Sequence, residues 1–482
     1  MNSRRLKMVE PFDMRELRDD IAGKHVVVLG MGKSGIAAAR LLLAQGATVT
    51  AADDRELDVR QFVSTRFPGL NVDRLRIDTA ARCMRALHDD VHLLVVSPGI
   101  PEHHEMVAAA QAQGIPVIGE LELASRFLAV PIIAVTGTNG KSTTVRLIGE
   151  MLKADGRRIF VGGNLGIPLS EAVLASFHQA SDSACPFEMV VVEVSSFQLD
   201  TTATFHPVVA VLLNVTPDHL DRYASFEAYQ AAKQKIFANQ IPSDAAVLNA
   251  DDPRVSALTT SIRAQRILFS MTQALPRGVC VDGGTIVARF EAETRPIMDV
   301  REIPLRGRHN CSNVLAAMAV ALQCRCSVDA IQRAVRGFAA AEHALESVRV
   351  VRGVQYINDS KGTNVDATLR ALESFERSLV LILGGKDKGG DFRQLREVVH
   401  QRAKGLVVLG EAAERIVEAL GSVVPIQRAA TLSEAVELAA RLAVAGDIVL
   451  FSPGCASFDM FENYEDRGRR FKQIVHALAE TG

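Results

Sequence analysis

The stretch Pro131-Ile-Ile-Ala-Val-Thr-Gly-Thr-Asn-Gly-Lys-Ser-Thr-Thr144, running on to Gly156, constrains the fold of this chain most. The apolar run Ile132–Val135 predicts a buried strand. Leu147, Ile148, Met151 and Leu152 share one side of an amphipathic helix that Gly156 ends. Between them stands the loop Gly137-Thr138-Asn139-Gly140-Lys141-Ser142. Strand, glycine loop and helix is the context a phosphate-binding loop requires. N–H groups of the loop and helix start point at the anion, and a lysine adds a full positive charge. The spacing departs from Gly-x-x-x-x-Gly-Lys-Ser, whose first glycine would fall at Val135. The bland alternative is a Gly-rich turn with no ligand. Lys141-Ser142 at the helix start favours an ATP- or GTP-binding loop.

A chain of 482 residues implies about three domains at ~150 residues each. It is 48% hydrophobic and 23% charged, the profile of a soluble globular protein. The net charge of −2 gives no reason to expect nucleic acid or an anionic membrane as partner. Seven scattered cysteines contain no Cys-x-x-Cys pair, which fits reduced thiols in a cytoplasm. Cys324-Arg-Cys326 lacks a second pair and reads as helix residues rather than a metal site. Met1–Asp20 is charged throughout, with no apolar core of a secretory signal, and no apolar run approaches the ~18 residues of a membrane span.

Upstream, His25-Val-Val-Val-Leu-Gly30-Met-Gly32-Lys33-Ser34-Gly35 is a strand entering Gly-x-Gly-x-x-Gly, and a second strand ends at Asp53. This matches the dinucleotide-binding fingerprint, but the physics says only that a phosphate can approach the backbone near Gly32 with an acid at the next strand end. Downstream of the P-loop, Gly162-Gly-Asn164-Leu-Gly166 is a loop that lets a ligand approach closely. The strand Met189–Val192 ends in Glu193, where P-loop proteins place a magnesium ligand or a group that positions water. Another buried strand, Val208–Leu213, leads through Asn214-Val-Thr-Pro into Asp218-His219-Leu-Asp221, a histidine flanked by carboxylates beyond a strand end. The helix expected over 226–239 carries Lys233 and Lys235, read as solvated surface lysines. Residues 266–305 look β-rich. Asn310 and Asn313 at the next helix start would cap it or read an adenine edge, and the two roles can coexist.

From about residue 342, four strands end in small or charged residues: Asn358-Asp359-Ser-Lys361-Gly-Thr363, Gly384-Gly-Lys386-Asp-Lys388, Gly410, and Ser452-Pro-Gly-Cys-Ala-Ser457. A crevice for an anion at the carboxyl edge of a parallel sheet is expected there. The fold class is therefore α/β in three domains. These are a Rossmann-like N-terminal domain (1–120), a central P-loop NTPase-like parallel sheet (121–341) and a C-terminal Rossmann-like α/β domain (342–482).

Together these stretches resemble the Mur ligases, ATP-dependent enzymes that add amino acids to the peptidoglycan precursor. The likeness spans nearly the whole chain: Gly137–Ser142, Glu193-Val-Ser-Ser-Phe-Gln-Leu199 and Asp218-His-Leu-Asp-Arg222. Three further stretches, Gly30–Gly35, Asn358–Val365 and Ser452–Arg467, resemble the branch that joins D-glutamate to UDP-N-acetylmuramoyl-L-alanine.

The resemblance implies an acyl-phosphate mechanism and roles for named residues. Gly137, Thr138, Asn139, Gly140, Lys141, Ser142 and Thr143 would hold the ATP phosphates, Asn310 and Asn313 the adenine, and Asp359 the ribose. Two Mg2+ sites would use Ser142 and Glu193, and His219 with Lys233, the latter carbamylated by CO2. Lys141, Glu193, His219 and Lys233 would be the catalytic set. Gly32, Lys33, Ser34, Asp53, Asp54 and Arg55 would hold the uridine nucleotide, with Asn164 and His219 on the rest of that substrate. Lys361, Thr363, Lys388, Ser457 and the backbone around Tyr464 would take glutamate. The resemblance also implies small-molecule partners only and a cytoplasmic monomer. One departure stands out: the family usually reads His-Arg where this chain has His343-Ala344. Loss of one charge-assisted hydrogen bond, worth roughly 1.5–3 kcal/mol, would weaken ATP binding or turnover unless Arg349 or Lys386 compensates. Other branches of the superfamily, a nucleotide-binding regulator with a degenerate site, and an NAD-dependent dehydrogenase are the competing readings. The intact lysines and acids and the unexplained P-loop weigh against the last two.

Overall fold

The computed structural model describes residues 21–479 except 57, 85–86, 88–89, 165, 178–184, 259–260, 291–292, 340 and 377. Residues 1–20, read above as lacking a secretory signal, and Leu165 of the 162–166 loop lie outside the described residues.

Three sheets organise the chain. The first holds β1 (His25–Leu29), β2 (Thr48–Asp53), β3 (Leu75–Thr79), β4 (Val91–Val96) and β5 (Val117–Gly119). They lie in the order 3-2-1-4-5 and are parallel throughout. The strand order reverses at β1, so a crevice opens beside the Gly30–Gly35 loop.

The second sheet is built from β6 (Ile132–Thr136), β7 (Ile159–Gly163), β8 (Met189–Glu193), β9 (Val209–Leu212), β10 (Ala245–Asn249), β11 (Gln265–Ser270), β12 (Gly278–Asp282), β13 (Thr285–Phe290) and β14 (Glu293–Asp299). Its order is 14-13-12-11-10-9-6-8-7. The strands from β7 to β12 are parallel, and the β-rich stretch expected near 266–305 closes the far edge with antiparallel β13 and β14.

β15 (Glu346–Val351), β16 (Val354–Asn358), β17 (Leu379–Gly384), β18 (Ala403–Leu409), β19 (Ile426–Arg428) and β20 (Ile448–Phe451) form the third sheet, in the order 15-16-20-17-18-19. All pair in parallel except β15.

The apolar runs of the central strands follow from burial on both faces. In β6, Ile132 and Ala134 join the cluster that covers one face, while Ile133 and Val135 join the cluster on the other. The first of these clusters is continuous with the first sheet, through Val26, Val28 and Val49. The first two sheets therefore share a core, whereas the third has its own clusters on its two faces.

Candidate active site

The carboxyl ends of β6, β8 and β9 open onto a cavity of about 1270 Å3. Lys141, Glu193, His219 and Asn310 line it from the second sheet's side, and Lys361 and Lys388 from the third. Three of the helices that begin at its wall, Lys33–Ala44, Lys141–Ala154 and Arg308–Gln323, are N-capped by a glycine with no side-chain cap bond. Other helices that start there carry side-chain caps, such as Asn364 and Asn463. The first N–H groups of an uncapped helix keep their donors free, and the dipole makes that end attractive to an anion. At Gly140 the cap has φ +86°, a conformation that admits no ordinary side chain, and a Cβ there would lie 2.2 Å from Asn313 Oδ1.

The P-loop lysine is held over its own loop, donating to Gly137 O (3.0 Å) and Thr138 O (2.8 Å). The Ser142 hydroxyl donates to Glu193 Oε2 (2.6 Å), and Asn164 Nδ2 donates to Glu193 Oε1 (2.8 Å). Glu193 is buried at the end of β8 and so points a carboxylate and a hydroxyl at one spot above the loop. Among the described residues no group of three or more His, Cys, Asp or Glu is arranged to hold a metal. A single carboxylate plus a hydroxyl suits Mg2+, which keeps waters and takes substrate phosphates as its remaining ligands.

Lys233 corrects the expectation of a solvated surface lysine. The helix ends at Gln234 and continues as a 3-10 turn, Lys235–Phe237. Only Lys235 reaches solvent, pairing with Asp200 (2.9 Å). Lys233 is 2% exposed, donates to Gly137 O (2.9 Å) and lies 4.6 Å from the Tyr229 ring centroid. Burial first, and the neighbouring Lys141 charge second, hold its amine well below the usual lysine range. An amine whose basicity is lowered is more readily a nucleophile, and cations beside it favour an anionic product.

His219 has φ 55°, a left-handed conformation that a non-glycine residue keeps only when its surroundings enforce it. The Phe197 ring sits 4.8 Å from its own, and Arg222 covers the other part of Phe197 at 4.1 Å. Burial lowers the imidazole to about 4, so it is neutral near pH 7, with a lone pair available to a metal. The adjacent Asp218 ties two sheets together. It accepts from Lys388 Nζ (2.7 Å) and Asn364 Nδ2 (3.0 Å), both on loops of the third sheet. Burial pushes this carboxyl up, but Lys388 and His219 outweigh it and bring it to about 2. Asn139 of the P-loop adds a bond to Asp366 (2.8 Å), and Lys361 lies within electrostatic reach of Glu193 and Lys141.

The sequence matches family models for the Mur ligase MurD-like N-terminal domain (24–119), the Mur ligase middle domain (135–321) and the Mur ligase glutamate ligase domain (345–455). The UDP-N-acetylmuramoylalanine--D-glutamate ligase of Koribacter versatilis is 45% identical over 463 residues, covering 96% of this chain and 99% of that one. The chain belongs to the Mur ligase family. In fold it is similar to a pseudomurein peptide ligase type C from Methanothermus fervidus (TM-score 0.60, 17% identity, 94% and 99% of the two chains). It is also similar to MurF ligase from Thermotoga maritima in complex with ADP (TM-score 0.56, 18% identity, 96% and 97%).

The Mur ligase fold brings most of the expected residues to one cavity, with instructive exceptions. Thr138, Asn139, Thr143, Asn164, Asn313, Thr363 and Tyr464 line it, as do Lys33 and Ser34 from the first sheet. Gly32, Asp53, Asp54 and Arg55 do not; Asp53 accepts from Met31 N–H (2.7 Å) and Arg55 Nε (2.8 Å), while Asp54 meets His104 (3.2 Å). Ser457 is buried beneath the wall rather than on it.

Asn310 and Asn313 do not cap their helix. Asn313 Nδ2 donates to Asn310 Oδ1 (3.2 Å) and Asn310 Nδ2 to Arg306 O (2.7 Å). Asp359 lines the cavity, but its oxygens already accept from Leu345 N–H (3.1 Å) and the Ser452 hydroxyl (2.7 Å), and burial raises its carboxyl to about 7. Ala344 lines the cavity. Neither expected substitute cation does: Arg349 donates to the His476 and Leu478 carbonyls, and Lys386 is exposed away from it. Arg254, Arg308 and Arg370 do line it, and sequence reasoning passed over all three. Asp218 also has a role that its residue type alone does not reveal. The signal was its place one residue before His219 beyond a strand end.

Proposed function

We propose that this Mur ligase joins D-glutamate to UDP-N-acetylmuramoyl-L-alanine, with ATP cleaved to ADP and phosphate. The name borne by the 45% identical relative supports the substrate pair, and the ADP bound to the structurally similar MurF supports the nucleotide. The observation that carries the reading is the facing of two sheets across one cavity. The P-loop with its Ser142–Glu193 pair stands on one side, and Lys361, Thr363 and Lys388 stand on the other.

In this reading residues 1–120 take the uridine nucleotide through Gly32, Lys33, Ser34, Asp53, Asp54 and Arg55. Residues 121–341 bind ATP, and 342–482 bind glutamate through Lys361, Thr363, Lys388, Ser457 and the Tyr464 backbone. Lys141 and the uncapped N–H groups of its helix neutralise the phosphates, Asn310 and Asn313 face the adenine, and Asp359 sits by the ribose. The substrate carboxylate attacks the γ-phosphorus and ADP leaves, giving an acyl phosphate. The glutamate amine then attacks that carbonyl carbon, phosphate departs and the amide forms. Positioning and charge neutralisation by fixed groups carry most of such a transfer.

Ser142 and Glu193 would hold one Mg2+, and His219 with a carbamate on Lys233 a second. When bound, the ions would neutralise charge on the transferring phosphoryl group. The carbamate would form when the unprotonated form of the Lys233 amine attacks CO2, making an N–C bond and releasing a proton. The bonds between Asp218, Asn364 and Lys388 would close the third sheet over the site and exclude water that would hydrolyse the intermediate. In this reading the reaction takes place in the cytoplasm. Among the described residues no helix is long and apolar enough to cross a membrane.

Phosphate release is the deciding measurement, with Mg-ATP, the nucleotide precursor, and D-glutamate, L-glutamate, glycine or meso-diaminopimelate in parallel. Release that needs both the precursor and D-glutamate, with a product one glutamyl residue heavier, is expected. Release with another amino acid alone would move the chain to a different branch.

A further inference from the structure

Arg467, on the helix Tyr464–Ala477, is 2% exposed, yet its hydrogen bonds go to no carboxylate. Nε donates to Ser360 Oγ (3.0 Å), Nη2 to Ser360 O (2.8 Å), and Nη1 to both Cys455 O and Ala456 O (3.1 Å each). The acids in its electrostatic surroundings are Asp359 and Asp459. Asp359 is occupied as described above, and Asp459 Oδ2 accepts from Glu411 N–H (3.2 Å). Burying an unpaired cation is costly, so a fold that keeps one uses it. Burial lowers this guanidinium only to about 10, and it remains charged at neutral pH.

Its partners are the loops that carry the glutamate-facing side chains. Ser360 precedes Lys361 at the end of β16, and Cys455-Ala456 precedes Ser457 beyond β20. The Ser360 hydroxyl passes the contact on to Tyr464 O (2.9 Å) at the start of Arg467's own helix. Ala456 exchanges two backbone bonds with Lys386 (2.9 and 3.0 Å), anchoring the segment that leads to Lys388. Asn358 Nδ2 donates to Gly468 O (3.2 Å), fixing the backbone next to Arg467 from behind. Only a planar fork of N–H donors reaches three carbonyls and a hydroxyl at once. An ammonium, with three donors at one point, does not.

We propose that Arg467 is a positioning residue for the amino-acid substrate. It locks in one geometry the loops bearing Lys361 and Ser457 and the helix start at Tyr464, so that the groups facing the incoming amino acid are held in place. The inference rests on the glutamate reading given above.

The test is steady-state kinetics of the full chain and of Arg467→Lys and Arg467→Gln, with each of the three substrates varied in turn. Arg467→Lys keeps the charge and loses the fork. It is expected to raise KM for D-glutamate roughly tenfold, about 1.4 kcal/mol, while KM for ATP and for the nucleotide precursor changes less than about twofold. Arg467→Gln is expected to raise it further. Formation of ADP in the absence of amino acid should stay at the wild-type level in both. Equal increases in all three KM values, or none, in a variant that melts with the wild type would overturn the proposal.

If both variants fail to fold, Ser360→Ala decides. Losing one fork contact should still raise only the amino-acid KM, by roughly threefold, and an unchanged value would overturn the proposal. The wild-type arm separates the two readings. Turnover with an amino acid other than D-glutamate would refute the glutamate assignment, and the same KM comparison would then be made with that amino acid.

Discussion

Two glycine loops in this molecule follow the same plan and do different things. Gly30–Gly35 and Gly137–Ser142 each leave a buried parallel strand and enter a helix whose glycine N-cap offers no side-chain cap bond. They differ in what the nearest acid does. Asp53 turns back onto its own loop, accepting from Met31 N–H and from Arg55. Burial pushes its carboxyl up, but Arg55 and Met31 outweigh this and hold it below the usual range. Glu193 takes its bonds from side chains instead, Ser142 and Asn164, and faces the cavity. Lys33 is exposed, whereas Lys141 is folded against its loop within reach of Glu193 and Asp218. In the proposed reading a glycine loop supplies an anion site in both cases. The side chains around it decide whether the site only grips a phosphate or also works on it.

The comparison breaks most sharply at the lysines. Lys141→Ala should lower turnover by at least ~10^3-fold, because it removes the cation beside the transferring group, while the protein still folds. Lys33→Ala should raise KM for the nucleotide precursor by less than about tenfold and leave kcat intact. Phosphate-release kinetics distinguish them, and an equal loss of kcat in both would erase the distinction.

Lys233 sharpens the contrast, since only the central loop has a buried amine beneath it. Removing dissolved CO2 should cut activity more than about tenfold, with bicarbonate restoring it, and Lys233→Arg should be inactive and beyond rescue. Activity that ignores CO2 would count against the carbamate.

Next come the acids. Glu193→Gln should lower kcat roughly 10^2-fold and raise the Mg2+ needed for half-maximal rate. Asp53→Asn should instead lose about 1.5–3 kcal/mol of stability, read as a lower melting temperature at unchanged Mg2+ demand.

The smallest effect is expected where the two regions meet. Glu120, directly after β5, is buried and accepts from Ser170 N–H (2.7 Å) of the helix Leu169–Phe177 in the second unit. Burial raises its carboxyl from 4.5 to about 7. The folded form therefore holds a proton that the unfolded chain releases. This stability is complete below pH 4.5 and is lost as the pH rises through 7. Glu120→Gln should match the wild type at pH 4.5 and exceed it by about 1–3 kcal/mol at pH 8, measured by denaturant unfolding at the two pH values.

Much of this architecture was legible in the chain. Period-two and continuous apolar runs mark strands buried on both faces, so β1, β6, β8, β9, β17 and β20 were located to within a residue or two. Gly137–Ser142, Glu193 and His219 were found because strand-end chemistry is local: a few consecutive residues carry the whole signal. The fate of Lys233 was not legible. Its helix spacing is that of a surface lysine, and only the packing of that helix against the P-loop decides that one lysine is buried and its neighbour two residues on is not.

The sequence alone determined three α/β units, a phosphate-binding loop and the strand ends that carry chemistry, because backbone hydrogen bonding and apolar periodicity are short-range properties. Tertiary structure alone decided that Asp218 meets Lys388 across 170 positions, that Asp53 turns away from the cavity, and that Arg467 lies beneath two loops with no carboxylate hydrogen-bonded to it. Those outcomes depend on desolvation and on partners brought together by folding, and no window of sequence contains them.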